Sequence, residues 1–243
     1  MRNEIITRLR NLNRDFYDEF AAHFADSRGR TEPGLERILR HITPGDRVLD
    51  LGCGHGRIAA LLPPDCTYVG LDFSAEILAL ADPEVADGVE TRFARVDLMD
   101  PDWVETHQGP FDWIIARAVF HHLPGYATRA RVLRQATSHL TSGGRIVLAN
   151  WQFLAAKRLH RRIQDWSELG LSADDVEPGD YLLDWRRGGR GFRYVHLVDK
   201  AETRRLAQDA GLAIEEMYRA DGRENNLTLY AVLKKTVMLS GSP

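Results

Sequence analysis

Residues 48–56 read VLDLGCGHG, and this stretch decides the fold. An apolar run ends at an acidic residue and leads into a loop with glycine at every second position, followed by a helical pattern. Glycines let the backbone approach a ligand closely, and the N–H groups at the start of the following helix are available to bind it. In an open α/β sheet such a loop lies at the carboxyl ends of the strands, where ligands bind. The stretch therefore predicts a strand, loop and helix that form one wall of a binding site.

Short apolar runs on either side of this stretch alternate with helical segments. Strands are predicted at 47–51, 67–71, 89–96, 111–116 and 144–149, and helices at 58–62, 75–81 and 129–140. Such alternation forms βαβ units, whose parallel sheet is covered by helices on both faces. The fold class is therefore α/β.

The two flanks have different patterns. Upstream, residues 3–26 and 35–41 have helical spacing and predict a helical lid over residues 1–45. Downstream, we predict a helix at 151–169, an irregular segment at 170–191, an extended segment at 193–198, a helix at 200–210 and closing strands at 212–218 and 226–233.

Composition excludes several classes of protein. The chain has 243 residues, a net charge of −3 and a pI of about 6.3, so only local basic segments could argue for nucleic-acid binding. Two cysteines, Cys53 and Cys66, are too few for a disulfide framework, and no histidine spacing demands a metal, so no metal site is predicted. No window approaches the ~20 apolar residues of a membrane span. We expect a cytoplasmic protein without membrane contact.

Acidic residues end three successive predicted strands. The loop pattern G-x-G-x-G departs from the G-x-G-x-x-G of dinucleotide folds, and Asp50 before it would repel a pyrophosphate but accept hydrogen bonds from a cationic amino-acid group. Asp72 ends the second strand, where an acidic residue grips both ribose hydroxyls. Asp97 ends the third strand and could accept from an adenine amino group. Together the loop and the acids predict a site for a cationic nucleoside.

The ordered motifs VLDLGCGHG, YVGLDFS, ARVDLMD, FDWIIARAVFHHL and LTSGGRIVLA resemble those of class I S-adenosylmethionine-dependent methyltransferases. The resemblance implies a Rossmann-like, seven-stranded, mostly parallel sheet with helices on both faces and an antiparallel last strand. It implies one domain over 1–243, with the N-terminal helical lid at 1–45, a cofactor-binding core at 46–150, an acceptor-side insertion after strand 5 at 151–198, and a closing helix and strands at 199–235.

The same resemblance implies S-adenosyl-L-methionine as cofactor and assigns residues to it. Asp50, Gly52 and Gly54 would surround its methionine part, and Asp72 would bind the ribose. Phe73, Asp97 and Leu98 would border the adenine. The complete cofactor-binding set is Tyr17, Arg28, Asp50, Gly52, Cys53, Gly54, Asp72, Phe73, Asp97, Leu98 and Arg117.

The flanks resemble the wobble-uridine tRNA carboxyl methyltransferases, which esterify 5-carboxymethyluridine. Residues 15–28 resemble their Y-D-x-I-A-x-x-F-x-x-T-R pattern, which is matched at Tyr17, Asp18, Ala21, Phe24 and Arg28. Residues 192–198, FRYVHLV, are similar to their R-Y-Y-H-x-F segment. Val195 replaces the second tyrosine, and their late Asn-Trp-Tyr segment is loosely replaced by residues 225–227. This resemblance implies tRNA as the partner, is compatible with a small activating subunit, and leaves monomer and dimer open.

The chemistry of the acceptor leaves two sets of candidate catalytic residues. A carboxylate acceptor needs cations to orient it, for which Arg28, Arg193 and His196 are candidates. A hydroxyl acceptor needs a general base, and His121 and the adjacent His122 follow the fourth strand, where a base could act. The basic segment 157–162, with Arg186, Arg187 and Arg190, is either a solvated face or a phosphate-binding rim.

Three other functions stay open on the sequence alone. The first is a small-molecule O- or N-methyltransferase, which an acceptor screen with labelled cofactor would distinguish from a tRNA enzyme. The second is a non-catalytic protein that binds S-adenosylmethionine or S-adenosylhomocysteine without transfer. The third is a nicotinamide-dependent oxidoreductase, which the glycine spacing and Asp50 disfavour and an NADH titration would test.

Overall fold

The computed structural model describes residues 1–26, 32–82, 87–106 and 109–236. The strands are β1 (Arg47–Leu51), β2 (Thr67–Asp72), β3 (Glu90–Arg95), β4 (Phe111–Arg117), β5 (Leu140–Trp151), β6 (Ile163–Gln164), β7 (Asp180–Trp185), β8 (Gly191–His196), β9 (Leu212–Ala220) and β10 (Thr228–Lys235). The α-helices are α1 (Asn3–Glu19), α2 (Ala21–Asp26), α3 (Pro33–Leu39), α4 (Ala75–Leu78), α5 (Tyr126–Ser138), α6 (Lys157–His160) and α7 (Lys200–Asp209).

Seven strands form the central sheet in the order β3-β2-β1-β4-β5-β10-β9. Strands β1 to β5 pair in parallel, and β10 lies antiparallel between β5 and β9. The central strands carry almost unbroken apolar runs because both of their faces are buried, as in β1 and β4. This confirms the predicted seven-stranded, mostly parallel sheet with an antiparallel last strand.

Two apolar cores cover the sheet, one on each face. Residues of α5 and α7 pack on one face with Leu49, Ile114 and Leu148. Residues of α3 pack on the other face with Val48, Ile115 and Val147. Alternate residues of one strand thus enter different cores, which is the two-residue period of a β-strand.

The N-terminal helix α1 packs on the insertion after β5. Its buried residues include Ile5, Leu9 and Phe16, spaced four and seven residues apart on one face, and Ile5 and Leu9 pack against Tyr194 of β8. The lid and the acceptor-side insertion therefore form a layer of their own over the carboxyl end of the sheet.

The insertion contains a three-stranded antiparallel sheet in the order β6-β7-β8. The predicted helix at 151–169 is wrong, because β5 continues to Trp151, which pairs with Thr228, and only Lys157–His160 is α-helical. The segment predicted to be irregular contains β7, whose burial on both faces removes the polar–apolar alternation that marks a strand.

The predicted helix at 58–62 is only a 3₁₀ turn at Ala59–Leu61. Among the described residues, no helix is long and apolar enough to cross a membrane.

Candidate active site

A cavity of about 1090 Å³, measured with its open mouth, lies at the carboxyl ends of the parallel strands. Residues from α1, from the glycine loop and from the ends of β2, β3 and β4 surround it. Ten of the eleven predicted cofactor-binding residues line it: Tyr17, Asp50, Gly52, Cys53, Gly54, Asp72, Phe73, Asp97, Leu98 and Arg117. The three strand-end carboxylates thus meet in one cleft, because parallel strands bring their carboxyl ends to the same edge.

The glycine loop needs glycine for both conformation and space. Gly52 and Gly56 have φ values of +69° and +78°, in the left-handed region. A Cβ on Gly52 would lie 2.3 Å from Val119 Cγ2, and one on Gly56 would lie 2.4 Å from the ring of Phe93. The N–H of Gly52 donates to the carbonyl of Leu71 at 2.7 Å, which fixes the loop to β2. A side chain at either position would push the loop out of the cavity wall.

Asp72 is buried at the end of β2 and holds the loop from below. One carboxylate oxygen accepts from the N–H of Gly54 at 2.9 Å, and the other accepts from the N–H of Ser74 at 3.0 Å. Burial raises the pKa of Asp72, against the effect of these hydrogen bonds. Phe73 follows it and meets the ring of Tyr17 edge-on at 5.8 Å.

Asp50 is a buried carboxylate in the cavity wall whose pKa is shifted upward. Its side chain is 1% exposed and accepts from the Tyr68 hydroxyl at 2.7 Å. Burial raises the pKa of Asp50 to about 7, and the nearby charge of Asp72 adds to the rise. A cation bound in the cavity would favour the ionised form.

Asp97 is engaged by the lid. Its two carboxylate oxygens accept from Arg10 Nε at 2.6 Å and from the N–H of Met99 at 2.9 Å. Each oxygen keeps a second lone pair, so an adenine amino group would share Asp97 with Arg10. This contact from α1 ties the lid to the predicted nucleoside site.

Arg117 lies in the cavity wall at the end of β4. One terminal nitrogen of its guanidinium forms an ion pair with Glu32. Its buried Nε has no hydrogen-bond partner among the described residues. The side chain is therefore tethered at one end and keeps a donor unused.

Tyr17 and His122 connect the cavity to the insertion. His122 Nδ1 lies 3.0 Å from the carbonyl of Tyr194, which can only accept, so Nδ1 carries the hydrogen. In the neutral ring Nε2 is then an acceptor, and the Tyr17 hydroxyl, 2.8 Å away, donates to it. Asn13 completes the link, since its Oδ1 accepts from the N–H of Tyr194 at 2.8 Å.

Arg193 lies beside this link in an aromatic cage. Its guanidinium carbon is 5.1 to 5.5 Å from the ring centroids of Phe16, Trp151 and Trp185. The residue is 8% exposed, its Nε has no hydrogen-bond partner, and it forms no salt bridge within the described part of the chain. A buried cation with this surrounding is suited to bind an anion, which it can hold bidentately.

The family profile described as a methyltransferase domain matches residues 49–146. A putative methyltransferase of Encephalitozoon cuniculi is 30% identical over 222 residues, which cover 90% of this chain and 93% of that protein. The chain belongs to the methyltransferase family.

Two further similarities connect this methyltransferase with named proteins. A tRNA (carboxymethyluridine(34)-5-O)-methyltransferase of Schizosaccharomyces pombe is 24% identical, over 82% of this chain and 88% of that protein. Among solved structures, a SAM-dependent methyltransferase of Methanosarcina mazei aligns with a TM-score of 0.64 at 19% identity, over 84% of this chain and 98% of that one. The predicted Rossmann-like methyltransferase fold is confirmed.

His196 does not share a site with Arg193 in this methyltransferase, contrary to the predicted clamp. The two residues are three apart on β8 and therefore point to opposite faces. His196 Nδ1 lies 2.7 Å from Asp180 Oδ1, and His196 Nε2 lies 2.7 Å from Glu202 Oε2. Burial alone would lower the pKa of His196, but these two carboxylates outweigh it and raise the pKa.

Arg129 is the centre of the network that holds His196. The guanidinium of Arg129, 1% exposed, contacts Glu202 at 2.6 Å and Glu177 at 2.9 Å. Its Nη2 is also 3.2 Å from His196 Nε2, but in a protonated imidazole both nitrogens are donors, so we assign no hydrogen bond there. The network joins α5 and α7 to the insertion. Ligand atoms of Glu177, Asp180 and His196 lie within 4.8 Å of one another, but these side chains are engaged in the network with Arg129 and Glu202.

The two other predicted catalytic residues have different outcomes. His121 is 1% exposed and does not line the cavity; the N–H of Trp151 points to its Nδ1 at 3.4 Å. His122, the other candidate for a base, lines the cavity. Arg28 lies outside the described residues.

Two cavity residues of α1, Arg10 and Asn13, were missed by the sequence reasoning. Arg10, Asn13 and Tyr17 lie on one face of α1, since they are three and four residues apart, and all three line the cavity. Only Tyr17 was predicted. The usable signal was their spacing from the predicted Tyr17, since residues three and four apart share one face of a helix. Asn13 is 3% exposed on that face.

Proposed function

We propose that this methyltransferase transfers a methyl group from S-adenosyl-L-methionine to the carboxylate of a modified wobble uridine in tRNA. The observation that carries the choice of acceptor is Arg193, a caged cation without a carboxylate partner among the described residues. An acceptor that brings its own negative charge would complete this site.

The cavity suits the methyl donor by the chemistry of its donor set. Asp50 and Asp72 give it a negative wall, which favours a ligand with a positive sulfur and an ammonium group. Asp72 would hold the ribose, the loop from Gly52 to Gly54 the methionine part, and Phe73, Asp97 and Leu98 the adenine. When bound, S-adenosyl-L-methionine supplies an electrophilic methyl group, already activated by the charge on sulfur.

The protein residues have mainly positioning work in this reaction. Arg193 orients the acceptor carboxylate, and the surrounding rings exclude water from it. The carboxylate oxygen forms the new bond to the methyl carbon while the bond to sulfur breaks, and sulfur keeps the electron pair. No proton is removed from the acceptor, so no general base is required. The buried position of His121 agrees with this chemistry.

Similarity to named relatives supports the acceptor. The sequence similarity to the Schizosaccharomyces pombe protein extends over most of both chains, including the insertion. A Saccharomyces cerevisiae protein of the same name is 29% identical over 137 residues, which cover 56% of this chain and 46% of that protein. The need for a small activating subunit and the cytoplasmic location stay predictions.

The decisive experiment supplies labelled S-adenosyl-L-methionine and two preparations of one tRNA, with and without a 5-carboxymethyl group on the wobble uridine. We expect label only in the carboxymethylated tRNA, as an alkali-labile ester. Equal labelling of both preparations would contradict the carboxylate acceptor, and labelling of a small-molecule acceptor alone would replace tRNA.

Binding of the donor is tested separately by calorimetry. Asp72→Ala should abolish measurable affinity for S-adenosyl-L-methionine, because it removes both the ribose acceptor and the support of the loop at Gly54. The matched control is Asp102→Ala at an exposed position outside the cavity. Retained micromolar affinity in Asp72→Ala would contradict the assignment of the donor site.

A further inference from the structure

A second cavity, of about 1070 Å³ including its open side, lies between α6 and the turn that joins β9 to β10. We call it the basic cavity, after Lys157, Arg158 and Arg223 in its wall. Ala155, Ala156 and Leu227 also line it, so a ligand could approach the backbone closely there. Lys157 and Arg158 belong to the basic segment 157–162, and donor binding and methyl transfer use none of the residues in this wall.

The wall of the basic cavity carries three basic residues and one acidic residue. Within the described part of the chain, Lys157, Arg158 and Arg223 form no salt bridge. The one acidic residue in its wall, Glu224, accepts from Asn226 Nδ2 at 3.3 Å. Because the whole chain has a net charge of −3, three unpaired cations around one cavity are a local concentration of charge.

The basic cavity opens at the same edge of the central sheet as the donor cavity. Strand β10 starts there, since Thr228 pairs with Trp151 at the end of β5. The N–H of Gln152 donates to the carbonyl of Leu227 at 2.7 Å, which places the cavity wall directly beside Trp151. The ring of Trp151 contacts Arg193 on the acceptor side. A large acceptor held at Arg193 can therefore extend towards the basic cavity.

The arginines of the β7–β8 turn divide into two groups. Arg186 pairs with Asp184 at 2.5 Å and Arg190 pairs with Glu168 at 3.7 Å, so these two are partly neutralised. Arg187 forms no salt bridge among the described residues, and neither does Arg162, which lies beside this hairpin because the N–H of Asp184 donates to its carbonyl. Arg186 and Arg190 are therefore weaker candidates for the predicted phosphate-binding rim than Arg187 and Arg162.

We infer that the basic cavity binds the phosphodiester backbone of a polyribonucleotide acceptor. The link to methyl transfer rests on the proposed function, but the electrostatic argument does not. Phosphate contacts by lysine and arginine fix the position of a nucleic acid without reading its sequence. Here they would hold the RNA while one nucleotide reaches Arg193.

Charge reversal tests the inference directly. The triple variant Lys157→Glu/Arg158→Glu/Arg223→Glu is compared with a control of equal charge change, Arg134→Glu/Lys200→Glu/Arg204→Glu, whose exposed residues lie on α5 and α7. Binding of fluorescently labelled tRNA is measured by anisotropy at several salt concentrations. Calorimetry with S-adenosyl-L-methionine and thermal unfolding establish that both variants are folded.

We expect the cavity variant to bind tRNA at least about tenfold more weakly than the control, with the slope of log K against log salt reduced by about 2 to 3. Equal affinity in the two variants, or a wild-type protein that does not bind tRNA, would overturn the inference. If wild type binds tRNA through the basic cavity but methylates no carboxymethylated tRNA, the proposed acceptor fails and the inference stands. If wild type methylates that tRNA and the cavity variant binds it as the control does, the inference fails alone.

Discussion

The donor cavity and the acceptor-side sheet are built in opposite ways. In the donor cavity, residues from consecutive strand ends of the chain meet in space, and Asp50, Asp72 and Asp97 all face one cleft. In the acceptor-side sheet, residues that are neighbours in sequence separate. Arg193 faces an aromatic cage, whereas His196, three residues later, faces a buried ion network.

This difference shows in which part of the fold a sequence motif predicts the residues that share a site. In a parallel sheet each strand is joined to the next by the same kind of crossover. The residues that end successive strands therefore lie side by side along one edge of the sheet. A short antiparallel sheet between two layers has two functional faces. A motif such as FRYVH then mixes a binding residue with a structural one. The predictions below test this division.

The largest effect should come from Arg129, which we assign to structure alone. Arg129→Leu removes the cation that pairs with the buried Glu202 and with the partly buried Glu177, and should lower the free energy of unfolding by about 3–5 kcal/mol. Urea unfolding measures this, with Arg134→Leu on the exposed face of α5 as the control. A stable Arg129→Leu protein that loses only methyl transfer would break the division between the two faces.

Arg193 should give the opposite phenotype. Arg193→Met removes the caged cation and should lower kcat/KM for a carboxylate acceptor about 100-fold, a loss of roughly 3 kcal/mol, with unchanged affinity for the donor. Steady-state methyl transfer and calorimetry measure the two quantities, and Arg190→Met in the same hairpin is the control. Equal losses in both variants would contradict a specific role for Arg193.

Asp50 should make donor binding depend on pH. Its pKa of about 7 means that the carboxyl is protonated below that pH, and only the ionised form attracts a cation. Affinity should therefore rise by about tenfold between pH 6 and pH 8, and Asp72, whose pKa is also raised, acts in the same direction. Calorimetry measures the affinity of wild type and of Asp50→Asn for the donor at each pH. The ionisation of the ligand affects both proteins equally and cancels when their affinities are compared. An identical pH dependence in both proteins would rule out Asp50 as the titrating group.

The smallest effect should come from the link between the two regions. Tyr17→Phe removes the hydroxyl that donates to His122, a loss of about 0.5–1.5 kcal/mol, and should lower kcat several-fold. Tyr126→Phe, which loses a hydroxyl contact with Asp209 away from the cavity, is the matched control. If the two variants behave alike, Tyr17 does not connect the regions.

The sequence predicted the core of the fold well because its signals are local. Asp50 and Asp72 lie at the ends of β1 and β2, and Asp97 follows β3 by two residues. The central strands β1 and β4 are short, largely apolar runs. The helix predicted at 151–169 failed because β5 extends to pair with β10, about 75 residues later in the chain. Strand β7 was missed for the same reason, since its partner β8 and its two buried faces are tertiary features.

The candidate site was predicted unevenly. Tyr17 and nine strand-end and loop positions of the cavity were predicted, but Arg10 and Asn13 on the same helical face were not, because a sequence does not show which face of a helix covers a cleft. Placing His196 with Arg193 was avoidable, since an odd spacing on a predicted strand already separates two side chains. Which of the two histidines, His121 or His122, faces the cavity depends on the direction of a single 3₁₀ turn.

The parallel sheet, the glycine loop and the carboxylates at one edge could all be predicted from local sequence, because strand period, backbone sterics and connection order act over short stretches of chain. Which cations are neutralised and which are left for a ligand became visible only in the folded chain. Whether an arginine has a carboxylate beside it depends on residues far away in the chain: Glu177 and Glu202 reach Arg129, while the rings of Phe16, Trp151 and Trp185 surround Arg193.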